Sequence, residues 1–275
     1  MLGFANAKIN LGLNVRFKRA DGFHELESVF FPVDIFDVVE ILESEQEDFQ
    51  CFGMGVPGDA ADNLCVKAYR LLKENYEFPK CSIRLLKNIP FGAGLGGGSS
   101  DAAMVLKLIN QKFNLKIADV VLEEYAAQLG SDCPFFIRNS AQLAKGRGEI
   151  LENVDLDLKN YCFLLIKPDF GISTKEAYSG IHPNDCSKPI MSILTEPIES
   201  WKSQLKNDFE SALFPKYTIL QKIKEQFYEF NALYASMSGS GSTMFGIFPN
   251  KELANLALQK FKQIGEFHKY QFFLI

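Results

Sequence analysis

Residues 90–101 read Pro-Phe-Gly-Ala-Gly-Leu-Gly-Gly-Gly-Ser-Ser-Asp, and no other stretch constrains the chain as much. Five glycines separate a strand-like segment, Cys81 to Leu86, from a helix expected to open at Ser99 or Ser100 with Ala103, Leu106 and Ile109 on its apolar face. Without side chains the backbone N–H groups lie bare, and a helix start adds its dipole, so the segment is an anion site of the kind that holds phosphate. Ser99 and Ser100 add hydroxyls where phosphate oxygens would lie. A flexible connector would need only one or two glycines.

Other nucleotide signatures fail here. A Walker A loop ends in Gly-Lys-Ser/Thr, and the segment has no lysine. Gly92, Gly94 and Gly97 fit G-x-G-x-x-G, but a dinucleotide fold continues from helix to a parallel strand ending in an acid. In this chain a second helix follows, about 118–129, with Asp119 at its start and Gly130 as its C-terminal cap. Asp169-Phe170-Gly171 spells a protein-kinase motif. With neither H-R-D-L-x-x-x-N upstream nor a V-A-I-K lysine, it reads as a turn after an apolar strand.

The remaining pattern mixes strands and helices. Strands are expected over 7–15, 29–33 and 38–42, and Asp62 is placed to cap a helix running to Tyr76 with Leu64, Ala68, Leu71 and Leu72 on one face. After residue 155 the pattern restarts. A strand over 161–166 precedes amphipathic helices across 173–230, strands over 234–238 and 243–248 flank a Gly/Ser turn, and a helix over 251–264 leads to a last strand over 270–275. Without strict β-α-β alternation this is an α+β chain of two domains, expected at 1–155 and 156–275.

Composition narrows the function classes. Hydrophobic residues make up 47% and charged residues 23%, which suits a globular enzyme with a core large enough to build a cleft. A net charge of −5 without a basic tract argues against a nucleic-acid partner. Six cysteines, at 51, 65, 81, 133, 162 and 186, form no C-x-x-C pair, so neither structural zinc nor a redox dithiol is indicated. The N-terminus lacks signal-peptide character and no stretch approaches the ~20 apolar residues of a membrane helix, so a soluble, cytoplasmic protein with no membrane partner is expected, as a monomer or homodimer.

Three stretches together resemble one family. Pro90-x-x-x-Gly94-Leu95-Gly96-Gly97-Gly98-Ser99-Ser100-Asp101-Ala102-Ala103 resembles the phosphate loop of the GHMP kinases. Ala5-Asn6-Ala7-Lys8-Ile9-Asn10-Leu11 and Ser236-Met237-Ser238-Gly239-Ser240-Gly241-Ser242-Thr243 resemble the family's first and third motifs, in the right order across nearly the whole chain. The extra glycines resemble the branch acting on a cytidine diphosphate-linked methylerythritol. The resemblance implies a two-domain GHMP kinase fold: an N-terminal ribosomal-protein-like α/β domain with a left-handed crossover involving the helix near Ser99, and a ferredoxin-like C-terminal α+β domain. It implies ATP-dependent phosphorylation of the 2-hydroxyl of that small molecule, in the non-mevalonate route to isoprenoid precursors, with Mg²⁺ carried on the ATP. Kinases of homoserine, mevalonate or sugars are the alternative, but they generally show Gly-Leu-Gly-Ser-Ser and have no use for a cytidine motif. A non-catalytic nucleotide sensor is disfavoured by the intact Lys8 and Asp132.

Carried onto this sequence, the resemblance makes Lys8 and Asp132 the catalytic pair. Read alone, Asp132 after Gly130-Ser131 is a turn residue before an apolar strand, and Lys8 is a lysine on a strand. ATP contacts fall to Asn63, Lys87, Pro90, Gly92, Gly94, Leu95, Gly96, Gly97, Gly98, Ser99 and Ser100. No protein metal ligand is assigned, although Ser99 or Ser100 is placed to reach Mg²⁺. Asn10, on the strand face of Lys8, resembles a substrate-positioning amide. Gly22-Phe23-His24 resembles the cytidine motif Gly-Tyr-His with Phe23 in place of Tyr, which keeps the stacking face and loses a hydroxyl. His24 would read the cytosine edge, Tyr178 would supply the opposite face, and Thr174 and Lys145 complete the substrate set.

Overall fold

The computed structural model describes residues 1–185 and 188–275. Cys186 lies outside the described residues. The first strand, β1 (Leu2–Lys18), is longer than its alternation suggests. β2 (His24–Glu43) runs unbroken through two segments expected as separate strands, and β1 pairs with it. What hides this continuity is Asp37, which interrupts the apolar series Val33, Ile35, Val39 and Ile41 yet is as buried as they are.

The chain forms two compact units. The first comprises Met1–Lys8, Pro32–Phe91 and Gly96–Ser140. It adds β3 (Asp48–Gly53), α1 (Leu64–Asn75), β4 (Cys81–Lys87), α2 (Gly97–Lys112), α3 (Asp119–Leu129) and the short α4 (Phe135–Arg138). β4 pairs antiparallel with Val38–Glu43 of β2 and parallel with β3. α1 packs on α2, and α2 on α3 and α4. This mixed sheet is not the parallel sheet a dinucleotide loop would require.

Local chemistry moves three expected boundaries. Asn63, not Asp62, caps α1, its side chain accepting from Cys65 N at 2.9 Å. Asp62 belongs to a 3-10 turn capped by Asp59. α2 opens at Gly97, ahead of the serines, because Gly96 adopts the left-handed conformation (φ +70°) that lets the chain enter the helix there. The apolar run after Asp132 is the helical turn α4, not a strand.

The second unit comprises Ile9–Phe31, Gly92–Leu95 and the described residues from Ala141 onward. β5 (Gln142–Gly146) pairs antiparallel with Leu26–Phe30 of β2 and with β6 (Ile150–Asn153). Then follow β7 (Cys162–Lys167), α5 (Thr174–Ser179), α6 (Ile190–Leu194), α7 (Ile198–Gln204), α8 (Asp208–Leu213) and α9 (Thr218–Glu229). β8 (Tyr234–Met237), β9 (Met244–Phe248), α10 (Lys251–Gln263) and β10 (Gln271–Leu274) complete the chain. The sheet order β10-β7-β9-β8, antiparallel throughout, is that of a ferredoxin-like split βαβ layer. Its core is aromatic: Phe227 and Phe261 meet edge-on at 4.9 Å, an arrangement worth about 0.5–1.5 kcal/mol beyond burial. Gly246 is what allows α9 this close, since a Cβ there would lie 2.4 Å from the Phe227 ring.

Candidate active site

In the first unit the start of α2 is the centre of the site. The first helical hydrogen bond is Ser100 N to Gly96 O at 2.9 Å, so the N–H groups of Gly97, Gly98 and Ser99 precede any intrahelical acceptor. Gly96 is required twice over. Beyond its positive φ, a Cβ there would lie 2.9 Å from Phe136 and 3.2 Å from Cγ of Lys8. The Lys8 stem therefore runs directly beneath the helix start, and its Nζ reaches Asp132 Oδ2 at 3.4 Å. Lys8 is buried while the Asp132 side chain is 35% exposed, so the carboxylate faces outward with a cation behind it. Gly130 ends α3, and Cys133 N donates to Gly130 O, a turn that turns Asp132 toward Lys8.

A second charged cluster lies in the same unit. Lys87, expected among the ATP contacts, is buried at the end of β4; its ammonium donates to Asp37 and, at 2.9 Å, to Asp101. Asp37 also accepts from the N–H groups of Asn88 and Ile89, which pins the exit of β4. Burial alone would lower the Lys87 ammonium, but Asp101 and Asp37 together raise it. Burial pushes the Asp101 carboxyl up to about 8, Lys87 opposing and Asp37 reinforcing the shift. One lysine thus serves two carboxyls, and burial holds Asp101 well above the ordinary carboxylate range. Lys87, Asp101 and Asn63 share the wall of a cavity of about 300 Å³ with Phe49, Leu64, Phe91 and Gly98. Apolar faces with a few polar groups suit a flat heteroaromatic ring.

In the second unit, the loop residues before Gly96 pack on the turn joining β8 to β9. Ser238 Oγ donates to Gly94 O at 2.8 Å, and Thr243 N to Ala93 O at 3.3 Å. A Cβ on Gly94 would lie 2.1 Å from Ser238 O, so only glycine permits this approach. Asn10 is buried and donates to Ser28 Oγ at 2.8 Å, with its Oδ1 beside Gly239. His24 and Tyr178 come together, but face to face, with ring centroids 4.9 Å apart and planes 17° apart. In this stacked arrangement the two rings present one combined aromatic surface. Burial, then Lys18, lowers the His24 pKa, which disfavours the imidazolium form. Tyr178 also meets Phe209 edge-on at 4.9 Å. Phe23 is 53% exposed, and its ring carries the Arg147 guanidinium at 4.9 Å. Lys145 pairs with Glu152 at 2.8 Å rather than joining these rings, and Thr174 is an exposed first-turn residue of α5.

A family model described as the GHMP kinases N terminal domain matches residues 63–140, and the GHMP kinases C terminal model matches residues 193–266. The chain belongs to the GHMP kinase family. Relatives agree on the branch. The chain is 48% identical over 256 residues (92% of this chain, 93% of the relative) to the 4-diphosphocytidyl-2-C-methyl-D-erythritol kinase of Bacteroides fragilis strain YCH46. It is 38% identical to that of Chlorobium limicola, over 94% of this chain and 92% of the relative. A crystal structure of 4-(cytidine 5'-diphospho)-2C-methyl-D-erythritol kinase superposes with a TM-score of 0.85 at 30% identity, covering 100% of this chain and 98% of that one. A mevalonate kinase structure shares the fold, with a TM-score of 0.75 at 15% identity, 100% of this chain and 98% of that one. The chain is accordingly a kinase. Among the described residues no helix is long and apolar enough to cross a membrane.

Three residues of this GHMP kinase escaped the sequence reading. Asp101 sits inside the loop motif itself, and Asp37 announced itself as an acid on the buried face of an alternating strand. Arg147 had no signal, because its approach to Phe23 depends on the β5–β6 turn, and β5, with Ala, Lys and Gly in five residues, was not foreseen.

Proposed function

We propose that this kinase transfers the γ-phosphoryl group of ATP to the 2-hydroxyl of 4-diphosphocytidyl-2-C-methyl-D-erythritol, in the cytoplasm, on the non-mevalonate route to isoprenoid precursors. The observation that carries this is the Lys8–Asp132 pair at the glycine-capped start of α2; the names of the relatives supply the alcohol.

Phosphoryl transfer asks for positioning and charge neutralisation more than for covalent chemistry. The N–H groups opening α2 receive phosphate oxygens. The substrate hydroxyl donates to Asp132, its oxygen forms the new bond to phosphorus as the bond to ADP breaks, and the proton passes to the carboxylate. Lys8 stabilises the negative charge that spreads over the transferring group. Mg²⁺, arriving on the nucleotide, would neutralise the phosphates. Ser99, half-exposed where Ser100 is buried, is the hydroxyl that would reach it. Asn63 and Lys87 line the cavity proposed for adenine. Phe23, His24 and Tyr178 form the cytidine surface, with Arg147 joining them in place of Lys145. The functional domains remain 1–155 and 156–275. Mass spectrometry tests the reading: incubation with ATP and the cytidylated alcohol yields a product heavier by one phosphoryl group, and an unmodified alcohol with ATP hydrolysed to phosphate contradicts it.

A further inference from the structure

Asn207 is buried at the entrance to α8, and both polar atoms of its side chain are engaged. Its Oδ1 accepts from Phe209 N at 3.0 Å, an ordinary helix cap. Its Nδ2 donates to two backbone carbonyls, Met237 O at 2.8 Å and Gly239 O at 2.9 Å. These flank Ser238, whose hydroxyl donates to Gly94 O in the glycine-rich loop. Asn207 itself is fixed from the other side. Leu13 N donates to Lys206 O at 2.8 Å and Val15 N to Asp208 Oδ2 at 2.7 Å, so the segment rides along β1 like an added strand residue. A cap needs only the oxygen. The two-pronged donation is surplus to capping, and it is aimed at the turn on which the loop rests.

We propose that Asn207 is a positioning residue for the ATP phosphates, holding the 237–239 backbone so that Ser238 fixes Gly92–Leu95 in the nucleotide-accepting conformation. This rests on the ATP-dependent kinase reading above. Asn207→Asp separates the two roles: one carboxylate oxygen still caps α8, where a negative charge at a helix start is favourable, while the other meets two carbonyl oxygens instead of donating to them.

Wild-type turnover is measured first, so that a wild type releasing no ADP counts against the kinase reading and not against Asn207. With an active wild type, Asn207→Asp should raise KM for ATP by about tenfold or more and leave KM for the cytidylated alcohol within about twofold, as expected for two lost hydrogen bonds. Ser238→Ala should give a smaller shift of the same kind, about fivefold. The double variant should cost no more than about the worse single one, because both changes cut one relay. Should Asn207→Asp fail to fold, Asn207→Ser, which keeps a capping oxygen and loses the two-pronged donor, takes its place with the same expectation. Wild-type KM for ATP in the folded variants overturns the proposal, as do additive effects or both KM values and melting temperature shifting together.

Discussion

The proposed phosphate region and the proposed cytidine region of this kinase are built from different materials. At the start of α2 the groups proposed to work are backbone N–H groups, and the side chains around them are paired: buried Lys8 with the half-exposed Asp132, and Lys87 with Asp37 and Asp101, all three buried. The proposed cytidine surface is made of side chains at the protein's skin, with Phe23 exposed under Arg147 and His24 lying on Tyr178. Phosphate is the same in every substrate of such a family and rewards a rigid cradle. A base is recognised by faces and edges, which side chains can supply and vary. The first region should therefore fail sharply when touched, the second by degrees.

The sharpest failure is expected at Asp132. Asp132→Asn should lower turnover by roughly two to four orders of magnitude with ATP affinity nearly unchanged, the range typical of a lost proton acceptor. Near-normal turnover in a folded variant would remove Asp132 from the chemistry. Gly96→Val comes next. The left-handed φ costs a non-glycine residue about 1–2 kcal/mol. Crowding against Phe136 and Lys8 adds about 1–3 kcal/mol, so ATP affinity should fall by about thirtyfold or more. Calorimetry showing wild-type affinity would detach the loop from phosphate.

At the cytidine surface, Phe23→Ala should raise KM for the cytidylated alcohol by about tenfold and leave KM for ATP alone, the loss of one stacking contact. Because Phe23 is exposed, its removal should barely move the melting temperature. A destabilised variant with unchanged KM would make Phe23 a packing residue. Phe23→Tyr should be neutral or slightly improving.

The smallest effect returns to the buried charges. The Asp101 carboxyl rises from its ordinary 3.8 to about 8 in the folded protein. Between those values the unfolded chain is ionised and the folded chain holds a proton, so this group's contribution to stability falls as pH rises from about 4 to about 8 and changes little beyond. Asp101→Asn removes that dependence. Its stability relative to the parent should therefore increase across that window in urea titrations. A constant difference would show that Asp101 is ionised throughout.

How much was legible in the sequence follows the same division. The loop from Pro90 to Ser100 was readable because backbone-built sites leave glycines at fixed spacing, whereas Lys8 and Asp132 came as a pair only through the resemblance to the family's motifs. The strands and helices of the second sheet were readable from periodicity after residue 155, while their ferredoxin-like arrangement was implied only by the family resemblance. What could not be read depends on side chains meeting across distant segments. Lys87 looks like a strand-end lysine until Asp37 and Asp101 are seen around it, and Asn207 looks like one more helix cap. The stacking of His24 on Tyr178 and the choice of Arg147 over Lys145 turn on how α5 and the β5–β6 turn are placed. A one-dimensional pattern does not record that.

The most direct test of the two-region account is the kcat/KM for ADP release with the cytidylated methylerythritol, set beside mevalonate, homoserine and the same polyol without its cytidine diphosphate. A site that reads base and phosphate separately predicts rapid release only when the handle is present, with at least a hundredfold preference, about 2.7 kcal/mol, from the stacking and polar contacts to the base. Equal rates with and without the handle, or a preference for mevalonate or homoserine, would contradict it.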